Sequence, residues 1–264
     1  MAQILKERSW RPHERSYFQA LFDFLSETPD LCATPHTATS RGIVSEALPN
    51  WEDLAAHGQG RPDRHHGVWE TCARNLAAFV AIDDELRTHL ARRSAFRLAG
   101  FPVAKRFDSA VHVATTVAGL TSSALGQTRA FLNEASPTCA LFNDPKPANV
   151  LVPRGSTVPT SEYRRIDFDL MTFDCPIALQ VLLVYFSAPW SVAPTSVATA
   201  GADFHLRWEA ASATARSLGL ASEELRHLLV YHILRNLSAV QDRPDHDIKR
   251  ASFASLGRHL TELV

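Results

Sequence analysis

Net charge is almost absent from this sequence. Its 27 Lys and Arg residues are matched by 28 Asp and Glu, leaving −1 at pH 7 with histidine neutral. No global field draws such a chain toward nucleic acid or an anionic membrane, so neither is expected as a partner. Cysteine is sparse: Cys32, Cys72, Cys139 and Cys175 are widely spaced and form no CxxC pair. That argues against a zinc ribbon or a disulfide framework and for a reduced, intracellular protein. Long apolar runs are missing as well. The most apolar stretch, residues 177 to 186, is interrupted by Gln180 and too short to span a bilayer. The opening MAQILKERSWRPHER lacks the uninterrupted apolar core of a signal peptide. A cytoplasmic location is the expectation. There is no internal repeat and no low-complexity tract.

What is present is an ordinary globular balance, 45% hydrophobic and 21% charged over 264 residues. That length supports one large domain or two modest ones with a buried core. A short strand is expected over residues 3–6, then a helix over 12–25 with Glu14, Phe18, Leu21 and Leu25 on one face. Pro12 suits its first turn and Pro29 stops it. Residues 42–46 read as a second strand, and the polar, glycine-bearing stretch 54–64 as a linker. Helical periodicity then dominates: 68–90, and a long helix from Asp108, its cap, to Leu132. Two short strands, 150–152 and 163–166, interrupt it as a hairpin. Helices resume over 176–186, 205–218 and 223–240.

The hairpin is framed by chemistry-bearing residues. Before it stands LFNDPKPANV, with Asp144, Lys146 and Asn149 in a turn stiffened by Pro145 and Pro147. After it comes Ile166-Asp167-Phe168-Asp169. A hairpin returns the chain, so Asn149 and Asp167 are expected side by side, with Asp169 on the same strand face as Asp167. One neutral oxygen and one or two carboxylates suit Mg²⁺ beside substrate phosphates. Asp144 is then placed to take the proton of an attacking hydroxyl, and Lys146 to neutralise a transferring phosphoryl group. The bland alternative is a turn whose Asp and Asn merely hydrogen-bond their own backbone.

These residues resemble the catalytic loop and metal motif of the aminoglycoside phosphotransferase and choline kinase superfamily, relatives of protein kinases. The pattern resembled is H-G/N-D-x-x-x-x-N, a hairpin, then I-D-x-D/E. The resemblance implies an α+β, protein-kinase-like fold. A truncated N-lobe would occupy residues 1–49 and a mostly helical C-lobe 50–264, with the catalytic loop at 141–152 and the metal motif at 166–169. It implies Asp144 as catalytic base, and Asn149, Asp167 and Asp169 as Mg²⁺ ligands. Lys6 would contact the ATP phosphates, with Glu14 as its ion-pair partner. The segment from Ile43 through Glu46 to Leu48 resembles the last N-lobe strand and the hinge, whose backbone would bind adenine. The implied activity is ATP- and Mg²⁺-dependent transfer of a γ-phosphoryl group to a hydroxyl of a small molecule, aminoglycoside-like or amino-alcohol.

The sequence departs from the pattern in three places. Phe142 stands where the family carries histidine. Residues 176–180, PIALQ, lack the acid of P-x-x-D-L. Only five residues precede Lys6, so the two strands and glycine-bearing loop over the phosphates are not in this sequence: either the true start lies upstream, or the chain is a reduced or degenerate kinase. These departures motivate a second reading, a truncated pseudokinase acting as a nucleotide-binding or regulatory protein. A protein kinase is disfavoured, since no A-P-E stretch follows Asp167. Elsewhere, His65-His66 reads as solvated and the spacing of His227 and His232 does not suit one metal. Trp190, Trp208, Tyr185 and Tyr231 read as helix packing, or as a cage for a cationic acceptor. Residues 242–247 read as a solvated acidic loop, or as a lure for a polyamine.

Overall fold

The structure, a computed structural model, describes residues 3–31, 33–58, 61–96, 103–118, 120–134, 137–141, 144–167, 175–187, 197–240, 250–251, 253–254 and 256. Among these residues it is helix-rich, with three small sheets. Strand β1 (Gln3–Glu7), helix α1 (Glu14–Glu27), β2 (His36–Thr39) and β3 (Gly42–Glu46) come first. The sheet runs β1-β3-β2, antiparallel throughout, with Leu5 and Thr37 both opposite Val44. Strand β2 is an element the pattern of apolar residues did not announce, because His-Thr-Ala-Thr carries no apolar alternation. Gly42 is required where β3 meets β1. Its φ is 146°, and a Cβ there would sit 2.1 Å from the Lys6 carbonyl oxygen. Helix α1 buries Glu14, Phe18, Leu21 and Leu25 as its periodicity predicts, and adds Tyr17, Phe22 and Phe24. Pro29 opens a 3₁₀ turn directly after it.

The stretch expected to be a linker is structured. Strand β4 (Trp51–Asp53) leads into helix α2 (Leu54–Gly58), and a 3₁₀ turn follows over Pro62–Arg64. Glycine and proline punctuate this segment, but Leu54 and His57, one helical turn apart, are both buried. His57 Nδ1 meets Glu52 Oε1 at 2.8 Å, and Arg64 reaches its Nε2 at 3.1 Å. The helix expected over 68–90 is two, α3 (His65–Ala81) and α4 (Asp83–Arg93). Asp83, Asp84 and Glu85 give α4 an acidic N-terminus of its own, which its dipole favours.

The expected long helix is also divided, into α5 (Val103–Ala118) and α6 (Ser122–Glu134). Thr121 Oγ1 accepts the Ala124 N–H at 3.2 Å and starts α6 afresh. Asp108 is therefore no cap. It lies within α5 and accepts from Arg129 Nε of α6 at 2.9 Å. Strands β5 (Cys139–Ala140), β6 (Val150–Pro153), β7 (Arg164–Arg165) and β8 (Cys175–Pro176) follow, then α7 (Ile177–Phe186), α8 (Val197–Ser217) and α9 (Ser222–Val240).

Helix α7 is buried all round, as a helix apolar on every face must be. It packs on α3, α8 and α9 in the larger core. Its one polar residue, Gln180, donates to the Leu141 carbonyl at 3.3 Å, at the entry to the LFNDPKPANV turn. A second core gathers Tyr17, Phe18 and Ile43 with Phe79, Leu86, Leu90 and Leu141, and so joins α1 to residues beyond position 49. No helix among the described residues is long and apolar enough to cross a membrane.

Candidate active site

The hairpin forms as its sequence predicts. Strand β6 pairs antiparallel with β7, Val150 opposite Arg165 and Leu151 opposite Arg164, while β4 covers its other edge. The turn before it is a 3₁₀ turn with Pro147 at its first position. Asp144 is buried and closes the turn on itself. Its Oδ2 accepts Lys146 Nζ at 2.6 Å and Asn149 Nδ2 at 3.0 Å, and its carbonyl accepts the Lys146 N–H at 2.8 Å. The Ile166 N–H donates to the Asn149 carbonyl at 3.0 Å. Asn149 is thereby tied to the residue preceding Asp167, the neighbourhood expected of a returning hairpin.

Asp144 and Asp167 share a further property. Among the described residues, only His13, Asp144 and Asp167 adopt positive φ without being glycine, the two aspartates at 47° and 66°. Such backbone costs about 1–3 kcal/mol per residue and persists only where surrounding contacts impose it. At Asp144 those contacts are the lysine and the amide; at Asp167 they include Lys6 of β1, whose Nζ lies 3.1 Å from Oδ1.

Lys6 thus reaches the hairpin, and the ion pair expected between Lys6 and Glu14 is not formed. Glu14 is the first residue of α1, so its carboxylate turns back on the segment entering the helix. There Oε1 accepts Arg8 at 2.6 Å and Oε2 accepts the Arg11 N–H at 2.9 Å. The Arg8 guanidinium rests 4.7 Å from the Phe18 ring centre, a contact lysine makes less well. Burial pushes the Glu14 carboxyl up, yet the Arg11 N–H and the Arg8 guanidinium outweigh it, and the net position is below the ordinary carboxylate value.

The other expected site residues fall as follows. The Glu46 N–H donates to the Pro35 carbonyl at 3.2 Å, and the Leu48 carbonyl accepts from the Trp51 N–H at 3.1 Å. Both are half-buried in the strand-to-turn segment joining β3 to β4. Phe142, Asn143, Asp169, Trp190 and residues 242–247 lie outside the described residues. His65 is a correction: it is buried, its Nε2 3.1 Å from the Gly58 carbonyl, because α3 begins there. His227 and His232 have separate partners, Thr128 Oγ1 at 3.0 Å and the Phe186 carbonyl at 3.2 Å.

Sequence reasoning missed Arg165. Its side chain is fully buried, and burial lowers it to about 10 against the opposing fields of Asp144, Cys72 and Asp167. Only the alternation of Tyr163, Arg164, Arg165 and Ile166 signals it, since one of two adjacent arginines in a strand must face inward.

No group of three or more His, Cys, Asp or Glu side chains able to hold a metal occurs among the described residues. The donor set nonetheless fits Mg²⁺ bound mostly by water and phosphate. Asn149 spends its Nδ2 on Asp144, which leaves its side-chain Oδ1 as a neutral donor, while its backbone carbonyl is bonded to Ile166, the residue before Asp167.

No model of a known protein family matches this sequence. No curated protein matches it significantly. Among solved structures it is similar to a Plasmodium vivax ethanolamine kinase, at 12% sequence identity and a TM-score of 0.48, over 99% of this chain and 74% of that one.

Proposed function

We propose that the chain binds ATP with Mg²⁺ and transfers the γ-phosphoryl group to a hydroxyl of a small molecule, an aminoglycoside-like or other amino-alcohol acceptor. The observation that carries this reading is one constellation. Asp144, Lys146 and Asn149 are hydrogen-bonded into a single turn, and the hairpin behind them delivers Asp167 to Lys6 of the first strand. Two lysine–aspartate pairs, one in the turn before the hairpin and one at its end, are the fixed charge that this reading draws on.

Asn149 and Asp167 would hold Mg²⁺, with Asp169 as a further carboxylate; the ion supplies charge neutralisation across the phosphates. Lys6 turns from Asp167 toward the α- and β-phosphates. Lys146, one-third exposed, leaves Asp144 for the γ-phosphoryl oxygens. Asp144 then accepts the acceptor's hydroxyl proton as the new P–O bond forms and the bond to ADP breaks. The backbone from Glu46 to Leu48 is the segment assigned to adenine. Glu14 acts at one remove, by fixing Arg8 and the start of α1.

A second reading draws on the same contacts. Each aspartate is already paired with a lysine, Asp144 with Lys146 and Asp167 with Lys6, so the site is charge-satisfied by the chain alone. A pseudokinase that senses nucleotide without turnover would use such a site.

Thermal unfolding with Mg²⁺, with Mg·ATP, and with Mg·ATP on Asp167→Ala separates the readings from no binding at all. Nucleotide at 100 times its dissociation constant adds about 2.7 kcal/mol of apparent stability. The shift is expected to need both metal and Asp167. Hydrolysis or transfer that falls ~10²–10⁴-fold in Asp144→Asn, with the shift retained, assigns the base. A shift in the wild type without any turnover favours the pseudokinase, and no shift at millimolar nucleotide removes both.

A further inference from the structure

Arg165 has no part in the scheme above, yet it occupies the most costly position near the site. Its Nε, Nη1 and Nη2 are all buried and have no hydrogen-bond partner among the described residues. A cation buried without such bonds is expensive, so a compensating field has to reach it. Strand alternation gives the direction. Arg164 turns outward and its guanidinium lies 5.6 Å from the Trp51 ring centre, which sends Arg165 to the inner face of β7. There it stands opposite Val150, next to Asn149, whose amide donates to Asp144. The fully buried Cys72 of α3 lies on the same inner side. Asp144 is the anion that acts most strongly on it, ahead of Asp167.

The two cations near Asp144 differ in freedom. Lys146 is partly exposed on a flexible stem and can leave. Arg165 is fully buried and does not reach solvent. We propose that Arg165 is a positioning residue for Asp144, a fixed buried counter-charge that holds this carboxylate in place once Lys146 has moved to the phosphoryl group. The inference rests on the phosphotransferase reading. It accounts for why a strand one residue from the Ile166–Asp167 motif tolerates an unbonded guanidinium, and for how Asp144 keeps its strained backbone without Lys146.

The test compares Arg165→Met and Arg165→Lys with the wild type by three measurements. These are kcat and KM for Mg·ATP hydrolysis, thermal unfolding, and the ¹³Cγ chemical shift of Asp144 at fixed pH, its signal identified by loss in Asp144→Asn. In Arg165→Met, kcat is expected to fall ~10–100-fold, the range found when a supporting residue is removed. KM for Mg·ATP stays within about twofold, well under one decade of affinity. The unfolding temperature does not drop, because an apolar side chain replaces a poorly satisfied charge. Arg165→Lys restores most of kcat.

Unchanged kcat in Arg165→Met overturns the proposal. So does a loss of stability with kcat and KM changed together, which would mark Arg165 as structural only. If the wild type neither binds nor hydrolyses Mg·ATP, the phosphotransferase reading falls and the Asp144 signal alone decides. Displacement in Arg165→Met upholds the hold on Asp144; coincidence with the wild type removes it.

Discussion

Lys6 and Asp167 stand 161 positions apart and meet at 3.1 Å, joining the first strand of the chain to the end of the β6–β7 hairpin. The contact holds two elements that share no sheet: β1 belongs with β3 and β2, whereas β7 pairs with β6. As a stabilising interaction it is weak. The lysine is 57% exposed and the aspartate 28%, and pairs so open to water contribute about 0–1 kcal/mol. In the proposed function this lysine serves the nucleotide phosphates, and that role is separable from stability. Lys6→Met is therefore expected to leave urea stability within about 1 kcal/mol of wild type. The same change should weaken Mg·ATP binding about tenfold or more by calorimetry. Equal nucleotide affinity in the variant would reduce Lys6 to a surface pair.

The hairpin is held from its other side by a close approach. Gly67 in α3 faces the loop between β6 and β7, and a Cβ there would lie 2.6 Å from the Val158 carbonyl carbon and 2.7 Å from Pro159 N. Both are backbone atoms, so neither can rotate away. Replacing a helical glycine by alanine ordinarily gains up to about 1 kcal/mol, whereas overpacking costs about 1–3 kcal/mol. Steric cost wins, and Gly67→Ala is expected to be net destabilising in denaturant titrations. Gly126 in α6 is the control, since nothing lies within 4 Å of its added Cβ. Gly126→Ala should stabilise by a few tenths to about 1 kcal/mol. Stabilisation at both positions would mean that α3 does not clamp the loop.

These particulars show what the sequence made legible. Residues 42–46, the hairpin and residues 176–186 announced themselves by alternation or by an apolar run broken only by Gln180, bounded by glycine and proline. The turn from Asp144 to Asn149 was visible because two prolines and two hydrogen-bonding side chains leave few backbone choices. Pairing across the fold was not visible. Glu14 had three candidate cations upstream, Lys6, Arg8 and Arg11, and periodicity cannot tell that its place at the head of α1 turns it toward Arg8. Leu54 to Arg64 looked like a linker because Gly58, Gly60 and Pro62 punctuate it, and the inward turn of Leu54 and His57 is too short to show a period. Arg165 was hidden by Arg164: adjacent arginines read as a solvated strand until the register sends one inside.

The Glu14–Arg8 pair also predicts a pH dependence. The Glu14 carboxyl sits below its ordinary value in the fold, so folding favours its ionised form. Its contribution to stability is fully present above the unfolded carboxylate pKa of about 4.3. As pH falls below that value the unfolded chain takes up the proton first, and the contribution is lost through the lower folded pKa. At neutral pH, Glu14→Gln gives up charge-assisted hydrogen bonds to Arg8 and to the Arg11 N–H, a cost of about 1.5–3 kcal/mol. Unfolding free energies of wild type and variant, measured from pH 7 down to pH 3, should therefore differ most at neutrality and converge below pH ~4. A difference that stays constant over that range would show that Glu14 acts through packing at the head of α1 and not through its charge.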